Sequence, residues 1–242
     1  MAADIHILVP AFNEGPRIGD VLETICSYPQ NKRIAVIDDG STDDTRDVAS
    51  RFPVEVLTHP QNLGKGAALQ TGLDHLPETP YWLFLDADLI GLDHDHMDQL
   101  LEPLYCKHEI AMAVGMLVGS NARVNLAQRW FSILNGQRSL AGHFVESLPS
   151  LAWSKFGVEI FLSRYARSKG CNVSTPVLEG LTHFTKEQKL GFGSGVRHRL
   201  QMYNECLYAC AHWRNYAPLT EPGQKTGKPR AGMQKGTNHS NP

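Results

Sequence analysis

The stretch "RIAVIDDGSTDDT" (residues 33–45) decides how the rest of the chain reads. Residues 34–37 form an unbroken apolar, β-prone run rather than an alternating one, which suits a strand covered on both faces in a parallel sheet. The run stops at Asp38, Asp39 and Gly40, and the Ser/Thr/Asp cluster after it is the chemistry of a helix start. The same grammar recurs on both sides of this stretch. "IHILV" (5–9), "VEVL" (54–57), "YWLFL" (81–85) and "IAMAVGML" (110–117) read as strands. Residues 15–28, 43–51, 64–76 and 96–108 between them read as helices. This alternation predicts a βαβ series, an α/β fold with a mostly parallel central sheet flanked by helices.

Composition sets the outer bounds. The chain has 242 residues, of which 42% are apolar and 20% charged, with a formal net charge of −2. A sizeable core is affordable at this length, and no global charge favours nucleic acid. The start of the chain lacks a basic region followed by an apolar run, so no signal peptide is expected, and no window is apolar enough for a transmembrane segment. The five cysteines form no CxxC pair, which fits reduced, buried thiols and a cytoplasmic protein.

In a parallel sheet, ligands bind beyond the carboxyl ends of the strands. The unusual residues gather there: "PAFNEG" (10–15), "DDGSTDDT" (38–45), "HPQNLGKGAAL" (59–69) and "DAD" (86–88). Four successive loops on one rim predict a single shared site. Ser41, Thr42 and Asp43 read as helix-capping residues, and Asp38 as structural. Asp39 and Glu14 read as contacts to a nucleobase edge or ribose hydroxyl. Gly64 and Gly66 would let backbone N–H groups approach an anion at a helix N-terminus, with Lys65 adding a point charge for a diphosphate. The GxxxxGK[ST] spacing of a Walker A loop is absent, which disfavours kinases and ATPases.

Asp86 and Asp88 lie two apart beyond an apolar run. In an extended backbone such residues point the same way, so both carboxylates can face one ion, with Mg²⁺ or Mn²⁺ suited to the oxygen donors. The nearby "DHDH" (93–96) competes as a metal cluster, but a helix start on the surface, capped by Asp93 or Asp95, is the preferred reading.

Together "VPAFNE", "VIDDGSTDDT", "NLGKGAAL" and "LDADL" resemble family 2 of the glycosyltransferases, with the GT-A (nucleotide-diphospho-sugar transferase) fold. The pattern is similar to that of dolichol- or polyprenyl-phosphate sugar transferases and of glucosyl-phosphoglycerate synthases. Further on, "NGQRSLAG" (135–142), "FGVEI" (156–160) and "GLTHFTKEQKLG" (180–191) resemble later family segments, with Phe184 where the family carries arginine and Lys186 as a substitute charge. The resemblance implies a metal held by Asp86 and Asp88, the catalytic pair, with His183 as a third metal ligand or a phosphate contact. Nucleotide-sugar contacts are implied for Pro10, Phe12, Glu14 and Asp39 on the first two loops. Gly64, Lys65, Gly66, Asp86, Ala87 and Asp88 follow on the next two. Glu159 would touch the sugar and Lys189 the phosphates.

On this reading residues 1–217 form one domain, with a nucleotide-sugar-binding half (4–120) and a helical acceptor-side half (121–217). Residues 218–242 form a disordered tail. Helical spacing is expected in 125–142, in 157–170 with Gly170 as C-cap, and in 195–216. The expected activity is hexosyl transfer from a UDP-glucose or GDP-mannose type of donor. Only Glu146 and Glu159 are available as a base in the second half, which favours an already ionised acceptor such as polyprenyl phosphate at a membrane surface. The helix with Trp130, Phe131, Ile133 and Leu134 could meet its lipid chain, although core packing is the preferred role. Other readings stay open: a small soluble acceptor such as phosphoglycerate, a sugar nucleotidyltransferase, or a non-catalytic nucleotide-sugar-binding protein.

Overall fold

The computed structural model describes residues 5–118, 136–183, 205 and 207–215. Lys186, Lys189, the Trp130–Leu134 segment, the start of the 195–216 helix and the 218–242 tail lie outside the described residues.

The apolar runs become strands β1 (Ile5–Ala11), β2 (Lys32–Asp38), β3 (Glu55–Thr58) and β4 (Tyr81–Phe84). Helices α1 (Gly15–Ser27), α2 (Thr45–Ala49) and α3 (Lys65–His75) connect them, and α4 (His94–Cys106) follows. Strands β1, β2, β3 and β4 pair in parallel, with Ile7 opposite both Ile34 and Leu83. Alternate residues of each strand feed two separate cores. Ile5, Ile7, Val9, Val36 and Leu83 pack with Ile18, Leu22, Met97 and Leu101 of α1 and α4. Leu8, Ala35, Ile37, Trp82 and Phe84 pack on the other face with Ala68 and Leu69 of α3. This two-sided burial explains the unbroken apolar runs.

The second half departs from expectation in an informative way. Residues 110–117 are not one strand: β6 (Ile110–Val114) and β7 (Met116–Val118) are separated at Gly115. A side chain at Gly115 would collide with Leu178, so glycine lets the chain leave the main sheet there. β7 then pairs with β10 (Val177–Glu179), and β5 (Leu89–Ile90) with β11 (Thr182–His183).

The segment "RSLA", expected to be helical, is strand β8 (Arg138–Ala141). It fills the slot between β4 and β6, antiparallel to both. A short apolar run carries no periodicity that separates strand from helix, and the open sheet edges decide the matter. The main sheet therefore runs β3-β2-β1-β4-β8-β6-β9, with β9 at Asn172–Ser174. Helix α5 (Gly142–Ser147), a 3₁₀ turn (Ala152–Gly157) and helix α6 (Val158–Ser168) complete the α3 side. There Phe144, Phe161 and Tyr165 join the second core. Helix α6 ends in the expected Gly170 cap: the Gly170 and Cys171 amides bond the Arg167 and Ala166 carbonyls.

"DHDH" is a helix start, as expected. Asp93 is the N-cap of α4, accepting from the His96 amide at 2.9 Å while His96 reaches back to the Asp93 amide. His96 is buried rather than on the surface, and its Nε2 also bonds the Glu179 carbonyl at 2.9 Å. His94 bonds the Thr24 carbonyl and Ser27. Hydrogen bonds to α1 and to the β10 turn occupy both imidazoles.

Candidate functional site

The loops after β1 and β2 are stapled to each other. Asn13, at φ 56°, accepts from the Thr42 amide at 2.8 Å, while its own amide donates to Ser41 Oγ. Asp43 joins two helix starts: it accepts from the Gly15 amide at 3.1 Å and from the Thr45 amide and hydroxyl. Burial works against its charge, but these hydrogen bonds outweigh it and hold the carboxyl below its usual range. Asp38 accepts from the Ser41 amide. Both residues have the structural roles their sequence context suggests. Glu14 pairs with Arg17 at 3.1 Å on the same rim. Pro10 and Phe12 flank Ala11 at the carboxyl end of β1.

Asp39 is only 3% exposed, and its carboxylate faces the third loop. It accepts from the Leu63 amide at 2.9 Å, the Gly64 amide at 2.8 Å and His59 Nδ1 at 2.7 Å. A carboxylate only accepts, so His59 donates from Nδ1, while its Nε2 is hydrogen-bonded to the Thr71 hydroxyl of α3 at 2.9 Å. The expected Gly64 amide is thus committed to Asp39 and is not offered to an anion. Nothing in the sequence marked His59, whose ring ties the second rim loop to α3.

The glycines of "GKG" serve close packing. Gly64 takes φ 97°, and a side chain there would lie 3.1 Å from Lys155 Cα. At Gly66 a Cβ would collide with Ser154 Oγ and the Leu151 carbonyl. Lys155, in the 3₁₀ turn that presses on them, has φ 46° and ψ −122°. This strained backbone costs on the order of 1–3 kcal/mol in a non-glycine residue.

Lys65 is the centre of the site. Its ammonium lies 2.5 Å from Asp86 Oδ1 and 2.6 Å from Glu159 Oε1, joining α3, the end of β4 and α6. Burial disfavours its charge, yet the two carboxylates outweigh that and hold it well above its usual value. The Gln137 amide donates to Asp86 Oδ2 at 3.0 Å. The antiparallel register, with Arg138 opposite Phe84, delivers Gln137 to this rim. Beneath lies Arg138, 1% exposed and bonded to Ser163. Burial pushes it down to about 10, with Glu159 and Asp86 resisting, so it stays charged at neutral pH. Gln137 and Arg138 were in a segment singled out by resemblance, but their roles needed the strand pairing.

The extended geometry expected of Asp86 and Asp88 is not observed. β4 ends at Phe84, and Ala87 and Asp88 form a turn before β5. The backbone of His183, the expected third ligand, is brought near by register: β11 sets His183 opposite Leu89, the residue after Asp88. Among the described residues no group of three His, Cys, Asp or Glu side chains is assembled as a metal cage. Two carboxylates still fit Mg²⁺ or Mn²⁺, which commonly take one or two carboxylates plus phosphate and water. The buried Gln137 Oε1, with no partner among the described residues, adds another oxygen acceptor on the side chain that holds Asp86.

Gly136 faces the Lys65–Asp86 pair so closely that a Cβ would stand 2.5 Å from Lys65 Nζ and 2.6 Å from Asp86 Oδ1. Those atoms are flexible side-chain ends, so Gly136→Ala is expected to fold. It should shift the pair and lower kcat/KM about tenfold or more. Steady-state rates beside a thermal melt check this; unchanged rates would dissociate Gly136 from the site.

A family model described as glycosyl transferase family 2 matches residues 6–145, which span every rim loop and the β8 segment. The chain belongs to glycosyl transferase family 2. A dolichyl-phosphate beta-glucosyltransferase of Trichomonas vaginalis is 33% identical over 98 residues, 35% of this chain and 30% of that protein. The glycosyltransferase AglJ of Haloferax volcanii is 30% identical over 181 residues, 71% of this chain and 56% of that one. The chain matches less than a third of the length of the first curated relatives. Among solved structures, glucosyl-3-phosphoglycerate synthase from Mycobacterium tuberculosis, in complex with Mn²⁺, UDP and glucosyl-3-phosphoglycerate, superposes with a TM-score of 0.70. It is 20% identical, covering 91% of this chain and 82% of that one. The fold is the expected GT-A architecture.

Proposed function

We propose that this family 2 protein is a metal-dependent hexosyltransferase that moves a sugar from a nucleoside-diphosphate sugar to a phosphate-bearing acceptor. The observation that carries the reading is the convergence of Asp86, Lys65, Gln137 and Glu159 from four elements on one rim. That rim is shared with the stapled loops of β1 and β2. Asp86 and Asp88, with His183 as third candidate, are the residues that would hold Mg²⁺ or Mn²⁺. Bound there, the ion supplies Lewis-acid stabilisation of the charge on the leaving nucleoside diphosphate. Glu14 and the loop tethered by Asp39 shape the nucleoside side, and Lys65 supplies positive charge.

Among the described residues, the two carboxylates that the sequence offered as a base give little support to an alcohol acceptor. Glu146 lies on the opposite edge of the sheet, lining a pocket of about 450 Å³ with Tyr81, His108 and Ala141. Glu159 is bound to Lys65. Neither is placed to deprotonate an alcohol, whereas a phosphate is already ionised at neutral pH. The Trichomonas relative's name supports a polyprenyl phosphate acceptor. The extent of the fold match to glucosyl-3-phosphoglycerate synthase keeps a soluble phosphoglycerate-like acceptor as the second reading. No helix among the described residues is long and apolar enough to cross a membrane.

A thermal-shift panel of nucleotide sugars with Mn²⁺ should show one dominant base, because a ligand that binds only the native state raises its stability. Incubating the best donor with polyprenyl phosphate or 3-phosphoglycerate should then release nucleoside diphosphate, with sugar label partitioning into solvent for the lipid and water for the other. Conversion of the nucleotide sugar to nucleoside triphosphate and sugar 1-phosphate when pyrophosphate is added would mark a nucleotidyltransferase, and tight binding without turnover a sensor; either result overturns the proposal.

A further inference from the structure

Both oxygens of Asp86 are in use: Oδ1 holds the Lys65 ammonium at 2.5 Å and Oδ2 holds the Gln137 amide at 3.0 Å. A divalent cation drawing on this carboxylate must share or displace one of these partners. Gln137 is a neutral side chain, fully buried and set by the strand beside it. Lys65 is a compact charge on a flexible stem, and a second cation on the same carboxylate repels it. It is therefore the partner that yields. Its ammonium already touches Glu159, 2.6 Å away and 8% exposed at the side chain. Glu159 can keep the charge satisfied without bringing Lys65 into water.

We infer that Lys65 competes with the divalent cation for Asp86, and that Glu159 is the positioning residue that takes over the ammonium when the cation binds. The inference rests on the metal-dependent reading above. Cation affinity is then set partly by a residue that never touches the cation. Glu159 acts through Lys65, in addition to any contact with the sugar.

Mn²⁺ binding to the full chain without nucleotide tests this, read from the loss of the free Mn²⁺ resonance signal on titration. Lys65→Met should bind Mn²⁺ about tenfold more tightly than wild type, since one close like charge is worth on the order of a tenfold change. Glu159→Gln leaves Lys65 with Asp86 as its carboxylate partner and should weaken Mn²⁺ binding about threefold or more. This arm has the opposite sign and keeps the test open if Lys65→Met folds poorly. Lys155→Met removes a neighbouring charge that packs on Gly64 and should leave the affinity within about twofold. Wild-type affinity in both Lys65→Met and Glu159→Gln would overturn the inference. So would an equal gain in Lys155→Met, which would reveal a general field rather than competition. A parallel titration with UDP separates the two levels: Mn²⁺ binding by no form even then would overturn the metal-dependent reading and this inference with it.

Discussion

The Asp86→Ala/Asp88→Ala chain is expected to transfer sugar about 10³-fold more slowly than wild type, a loss of about 4 kcal/mol in transition-state stabilisation. The same change should cost folding much less. Removing Asp86 leaves Lys65 still bonded to Glu159 at 2.6 Å, so no buried ammonium is stranded. The Gln137 amide loses its acceptor, worth about 1–3 kcal/mol, and Asp88 lies in a turn at only intermediate burial. Nucleoside-diphosphate release should collapse while the melting temperature falls by a few degrees. Transfer at the wild-type rate would sink the assignment of Asp86 and Asp88. A matching loss of fold would assign them to structure instead.

How far this site was legible depends on the range of each signal. The strands, the rim loops and Asp86 follow from local patterns, because a doubly covered sheet needs unbroken apolar runs and turns at its carboxyl edge. Partnerships between distant residues have no local signature. Lys65 read as a charge for phosphate because its loop has glycines before a helix, yet 94 residues separate it from Glu159. The glycines read as an anion cradle, since sequence does not reveal that the 3₁₀ turn at Ser154 and Lys155 presses on them. Arg138 lies in a strand lodged between β4 and β6, a placement that only tertiary pairing provides. The extended reading of "DAD" failed for a similar reason: β5 must turn back to meet β11, and Ala87–Asp88 supply that turn.

Asp39 carries the second large effect, and its expected signature differs from that of Asp86. Its buried carboxylate gathers the Leu63 and Gly64 amides and His59 Nδ1. Asp39→Ala strands three donors, and each unsatisfied buried group costs about 1–3 kcal/mol, so the fold should lose roughly 3 kcal/mol or more. For a domain of this size that is a drop of roughly 6–12 °C in melting temperature. Asp39→Asn keeps one acceptor oxygen but turns an NH₂ toward the other donor, so it should fall between Ala and wild type. The kinetic consequence follows from geometry. The Gly64 amide immediately precedes Lys65, and losing its tether loosens the start of α3 and the ammonium it carries. KM for the nucleotide sugar should rise about tenfold in Asp39→Ala even where the protein is fully folded, a change of about 1.4 kcal/mol. If Asp39 were instead mainly a base or ribose contact, KM would rise while the melting temperature stayed within a degree or two of wild type. A melting curve and a donor titration on the same preparation separate the two, because a tether moves both quantities and a ligand contact moves one.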